Sequence, residues 1–277
     1  IVFKIKREKI PIFTVFSSVK QESGKDIGYM QITSFAENTA KEFKDQLKEL
    51  EKKNIKGLVI DVRGNPGGYL NSVEEILGEI MTDKKPMLQV EQRNGEKKKF
   101  STELKERKPY PISVLIDNGS ASASEILAGA LKEGEGYDLI GEKTFGKGTV
   151  QQAVPFKDGS NIKLTMFKWL TPDGNWIHKK GIKPTVEVKQ PDYYHATPIQ
   201  IEKTLSYNAN DVQVKHAQEM LKSLGYVPGR EDGYFSKETE SALKAFQNAN
   251  KMEATGQLDK KTAEAIQTKI IEKIRSG

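Results

Sequence analysis

The stretch "PISVLIDNGSASASEILAGALKEG", residues 111–134, changes character twice. It begins as a near-continuous apolar run, passes through a turn holding Gly119 and three serines, and ends in helix-forming residues. An apolar run this short reads as a strand buried on both faces. Strands of this kind alternating with helices define an α/β sheet with crossover connections. The serines sit where such a strand meets its helix. Ser120, Ser122 or Ser124 can simply cap the helix. Alternatively, one of them is a nucleophile beside the positive helix end, with the next backbone N–H free to serve one half of an oxyanion hole.

The same pattern recurs upstream. "KGLVIDVRGNPGGYL" (56–70) is a buried strand running into a turn, and "LNSVEEILGEIM" (70–81) is the helix after it. Gly67 and Gly68 let the backbone approach a ligand and present bare N–H groups to it; an ordinary strand-to-helix turn is the plainer reading. Before them, a strand is expected over 27–35 and an amphipathic helix over 38–54, with Phe43, Leu47 and Leu50 on one face and Asn38 as N-cap. After them come a strand over 86–95, the strand "TVQQAVPF" (149–156) and a β-hairpin over 158–176 with an Asp-Gly turn at each end. Composition shifts at "KQPDYYHATPIQ" (189–200), and three short helical segments follow, over 211–226, 236–250 and 259–274.

Composition narrows the chemistry. The 277 residues are 30% charged, with a net charge of +6 spread as lysine beside glutamate. Arginine is scarce and does not cluster with aromatics, which argues against a nucleic-acid groove. There is no cysteine, so thiol catalysis and disulfides are excluded and a structural zinc site is not expected. His178, His195 and His216 are the only histidines. They lie in a polar hairpin, the linker and the helical segments, and read as surface residues. No metal or cofactor is expected.

A further motif is "GEKTFGKGTVQQ" (141–152), with Lys147 between two glycines and Gln151 four residues on. If the strand continues through both, they share a face. Glycine follows the lysine here, so the spacing of a phosphate-binding loop is absent. A lysine acts as a base only where its surroundings disfavour the ammonium, as desolvation and a helix N-terminus do. Phe145, the glycines and the serine-bearing helix are expected to supply that environment.

Together, "GLVIDVRGNPGG", "VLIDNGSASASEILAGAL" and "GEKTFGKGTVQ" resemble the motifs of the carboxyl-terminal processing peptidases, or tail-specific proteases, in the same order and over nearly all of residues 10–190. The resemblance implies an α/β fold with a crotonase/ClpP-like strand–turn–helix protease core. It implies Ser122 as nucleophile, Lys147 as base and Gln151 as the residue orienting the lysine. The Ala123 N–H and one from the Gly67–Gly68 pair, Gly68 being favoured, would form the oxyanion hole. Ser120 and Ser124 would support or cap.

The resemblance also implies an organisation. Residues 1–9 resemble the end of a PDZ domain, so the chain looks like a PDZ-less or truncated version. Residues 10–195 would be the catalytic core, and 205–275 resemble a small all-α peptidoglycan-binding-like module. That module implies either cell-wall glycan binding or protein contacts such as a homodimer. The expected activity is a serine endopeptidase outside the bacterial cytoplasm, acting on protein or peptide substrates engaged from their C-terminal end. The rival expectation is a non-catalytic scaffold docking on cell wall or a partner subunit.

Overall fold

The computed structural model describes residues 12–276, so the expectation for residues 1–9 lies outside the described residues. The chain divides between Lys189 and Gln190 into two compact units.

The first unit is built on a six-stranded sheet. Its strands are β1 (Val15–Glu22), β2 (Lys25–Ile32), β3 (Gly57–Asp61), then β6 (Ile112–Ile116), β7 (Asp138–Gly141) and β10 (Val186–Glu187) in that spatial order. Helices α1 (Thr39–Lys52) and α2 (Leu70–Ile80) follow β2 and β3. Strands β4 (Leu88–Glu91) and β5 (Lys97–Phe100) precede β6 (Ile112–Ile116), which leads into α3 (Ala123–Ala130). After β7 (Asp138–Gly141) come β8 (Thr149–Pro155), β9 (Asn161–Leu170) and β10 (Val186–Glu187). Only the β1–β2 pair is antiparallel; β2–β3, β3–β6, β6–β7 and β7–β10 are parallel. Central parallel strands tend to be covered on both faces; Leu58 and Ile60 of β3 and Ile112, Val114 and Ile116 of β6 make fully buried faces, while on the opposite faces Val59, Ser113 and Leu115 are half-buried. Helix α1 buries Phe43, Leu47 and Leu50 as its periodicity predicts. Helix α3 is buried all round, which its small and apolar residues allow.

A second, antiparallel sheet runs β5–β4–β9–β8, with β8 at its edge. Here the sequence expectation needs correction. The segment 158–176 is not itself a hairpin. The turn at Asp158-Gly159 joins β9 to the preceding β8, closed by Phe156 N–H to Ser160 O (2.8 Å). The second Asp-Gly turn, at 173–174, only ends β9. The segment 86–95 likewise supplies a four-residue strand, β4, and a turn into β5. Asn38 stands before α1 but is already helical (φ −87°), and its side-chain amide donates to Ile12 O and Glu42 instead of accepting a helix N–H. Thr39 Oγ1 takes the Ala36 N–H at 2.8 Å.

The second unit holds α4 (Val212–Ser223), α5 (Lys237–Ala249) and α6 (Lys260–Ser276) around its own core, which includes Leu221, Leu243, Phe246 and Ile266, all at most 1% exposed. Helices α4 and α5 are capped by Asp211 and Ser236. Among the described residues, no helix is long and apolar enough to cross a membrane.

Candidate active site

Strands β3 and β6 are parallel neighbours, so the loops leaving them emerge side by side at one sheet edge. In open α/β sheets, ligands bind at this carboxyl end. The loop after β3 carries Gly67 and Gly68; the loop after β6 carries the serines.

Buried polar groups fasten the two loops together. Asp117 Oδ1 accepts N–H groups from Gly64 (2.8 Å), Gly119 (2.9 Å) and Ser120 (3.1 Å). Ser120 Oγ donates to Val62 O (2.8 Å) and Ser124 Oγ to Asn65 O (2.9 Å), so the outer two serines act as struts. Asn65 is buried, its amide donating to Ile32 O (2.7 Å). At the start of the loop, Arg63 forks onto Asp61, which also accepts the Tyr29 hydroxyl (2.5 Å). Burial, with the bond to Asp61, pushes the Tyr29 phenol up to about 12.

Ser122 is the exception among the serines. It precedes α3 at φ 55°, ψ −114°, a conformation unusual for a residue with a side chain and common at functional sites. It is half-buried and lines a cleft of about 230 Å³ together with Gly68, Ala123, Lys147 and Gln151. Among the described residues, no direct hydrogen bond joins its hydroxyl to the Lys147 amine. The glycines are required by contact. A Cβ on Gly67 would lie 2.7 Å from Ala121 O and 2.9 Å from Ala123 N; one on Gly68 would lie 2.1 Å from Phe35 O. They differ in availability: the Gly67 N–H is bonded to Asn65 Oδ1 (2.9 Å) and Gly67 does not line the cleft, whereas Gly68 does.

The lysine side of the cleft is held by Glu125, which is fully buried. Its Oε1 accepts from Thr144 Oγ1 (2.6 Å) and Gly146 N–H (2.7 Å), its Oε2 from Ser122 N–H (2.9 Å) and Lys147 N–H (2.8 Å). One carboxylate thus spans the serine turn and the lysine loop. Trp169 Nε1 donates to Lys147 O (2.8 Å) from β9. Phe145 is 66% exposed and does not cover Lys147, because Glu125 draws the neighbouring amides inward and leaves the ring outside. Gln151 lies in β8 next to a register irregularity between Val150 and Gln151, and is exposed on the cleft wall.

Among the described residues, no histidine lines this cleft. His178 is half-buried, its ring stacked on Trp176 at 5.3 Å, and His216 is half-buried in α4; both are less exposed than expected. The His195 side chain lies outside the described residues. Sequence reasoning missed Glu125, Asn65, Asp117 and Trp169. Three of them had a local signal: Ser122-x-x-Glu125 has capping-box spacing, with Glu125 Oε2 accepting the Ser122 N–H, and Asn65-x-Gly67 and Asp117-x-Gly119 have the spacing of Asx turns, with Oδ1 accepting the N–H two residues on.

Residues 26–188 match the model of peptidase family S41, and residues 210–266 match that of a putative peptidoglycan binding domain. The chain belongs to peptidase family S41. It is 58% identical to the carboxy-terminal processing protease CtpB of Bacillus subtilis (strain 168), over 98% of this chain and 56% of the relative. It is 43% identical to carboxy-terminal processing protease CtpA of the same organism, over 98% of this chain and 57% of that one. The chain thus spans little more than half the length of these relatives. Among solved structures, the photosystem II D1 C-terminal processing protease superposes with a TM-score of 0.59 at 30% identity, over 66% of this chain and 50% of that one.

Proposed function

We propose that this chain is a serine endopeptidase working by acyl transfer through Ser122. The observation that carries the reading is one cleft lined by Ser122 in a strained turn, Lys147, Gln151 and the backbone of Gly68 and Ala123. The neutral Lys147 amine takes the Ser122 proton as Oγ attacks the scissile carbonyl. The Ala123 and Gly68 N–H groups receive the oxyanion. The Lys147 ammonium then gives its proton to the leaving amine, and water releases the acyl group by the reverse sequence. Gln151 orients the lysine without adding charge. Gly67, its N–H committed to Asn65, is the spacer that lets the loops approach.

Engagement of substrates from their C-terminal end and a location outside the bacterial cytoplasm belong to the same proposal, supported by the relatives. For the helical unit we propose glycan binding, supported by the family model and an open cleft of about 480 Å³ lined by polar residues including Gln200, Glu202 and Asp211. Sedimentation with purified cell wall tests it; a concentration-dependent dimer and no sedimentation would assign the unit to homodimerisation.

The catalytic test is cleavage of casein from pH 6 to 10 by the parent chain, Ser122→Ala and Lys147→Ala. Both variants should lose roughly three or more orders of magnitude in kcat/KM. Full activity in Lys147→Ala would remove the lysine from the mechanism. A parent that neither cuts nor takes a fluorophosphonate label would turn the reading toward a scaffold.

A further inference from the structure

The lining of the catalytic cleft includes two lysines, Lys147 and Lys163, and no carboxylate. Lys147 is spoken for by the chemistry. Lys163 stands on β9 opposite Ala153 of the edge strand β8, exposed, with only a methyl group across the ladder. Among the described residues it has no hydrogen-bond or ion-pair partner. Its strand neighbour Lys168 behaves differently, paired with Glu91 at 3.0 Å and lying over the Trp176 ring at 4.8 Å. Lys168 shares Glu91 with Lys97, whereas Lys163 places the field of an unpaired positive charge in the cleft lining; the buried Glu125 carboxylate is committed to the amides of Ser122, Gly146 and Lys147. Apolar walls from Leu70, Ile126 and Trp169 strengthen that field by excluding water.

Resting on the acyl-transfer reading for the position of the scissile bond, we propose that Lys163 is a specificity-determining residue. It selects peptides bearing an acidic side chain close to the cleaved bond. A strand advances about 3.3 Å per residue and a lysine reaches some 6 Å, so the selected position lies within about three residues of that bond. An exposed pair of this kind is worth roughly a three- to fivefold preference, falling with salt.

The experiment measures binding, so that it does not depend on turnover. Fluorescent peptides with both ends blocked, identical except for Glu, Gln or Lys at one of three positions on either side of the bond, are titrated into the Ser122→Ala chain by anisotropy. At one or more positions the Glu peptide should bind about three- to fivefold more tightly than the Lys peptide. Adding Lys163→Gln should level the series, and adding Lys163→Glu should invert it. In the active parent the same order should appear in kcat/KM, carried by KM. An unchanged order in the Lys163→Glu background overturns the proposal, as does absence of any Glu preference, including absence of measurable binding. If the peptides bind in the expected order but the parent cuts none of them, acyl transfer fails while the role of Lys163 stands.

Discussion

The two walls of the cleft are built by opposite means. The glycine and serine loops are locked by buried partners: Asp117 gathers three amides, Asn65 and two serines bridge the strands, and Gly67 and Gly68 have no room for a Cβ. The β8–β9 wall leaves the sheet exposed, with Val154, Phe156, Ile162, Leu164 and Met166 each 38% or more accessible. Only its root is fixed, by Glu125 and Trp169. The contrast follows what each wall must do. On the proposed acyl-transfer reading, oxyanion donors act only when they are placed before the reaction begins, so they belong in the core, while the other wall would admit a chain and shed a product.

The sharpest way to break this comparison is Gly68→Ala. The new methyl meets Phe35 O in a conformation that L residues avoid, so we expect a loss of about 2–4 kcal/mol in urea unfolding and at least a hundredfold loss of activity. A normal urea midpoint would mean the locked wall yields after all. Next is Glu125→Gln, which replaces one acceptor oxygen by an NH2 donor that faces N–H or O–H donors; about 1–3 kcal/mol and a ten- to hundredfold fall in kcat/KM are expected. Unchanged activity would detach the lysine loop from the serine turn. On the open wall, Leu164→Gln should change the free energy of urea unfolding by no more than about 0.5 kcal/mol.

The smallest effect concerns Glu74 on α2, whose carboxyl is raised by burial against the pull of Lys98. An acid raised in the folded state contributes stability below its unfolded pKa, near 4.5, and that contribution is lost as pH rises through the folded value. Glu74→Gln should flatten the fall in urea stability above that pH and add about 0.5 kcal/mol at pH 7. A parallel pH profile in the variant would assign the dependence to other groups.

What the sequence made legible follows the range of the forces involved. Strands such as 57–61 and 112–116 announce themselves as near-continuous apolar runs with at least one fully buried face, and α1 because its stripe repeats every helical turn. The residues named for the cleft were legible because they sit in long motifs, and all but Gly67 line it. Glu125 and Asn65 were not, since their partners come from distant segments: Glu125 reaches Gly146, and Asn65 reaches Ile32. The choice between Gly67 and Gly68 turns on the bond from the Gly67 N–H to Asn65 Oδ1, a local Asx turn that the spacing Asn65-x-Gly67 allows but does not by itself distinguish from a free amide. The hairpin at 158–176 was misread because two similar Asp-Gly turns flank one strand, and pairing decides which of them is a hairpin tip.

The parallel β3–β6 pair joins Asp61 to Leu115 across a long intervening chain. Contacts so distant in sequence carry a high loop-closure cost and form slowly, whereas the local helices of the second unit form early. During refolding from urea, helical circular dichroism should therefore recover ahead of reactivity toward a serine-directed label. On that expectation the cleft works as a clock hand for the sheet: a chain that can be labelled at Ser122 is one whose β3–β6 pairing has closed.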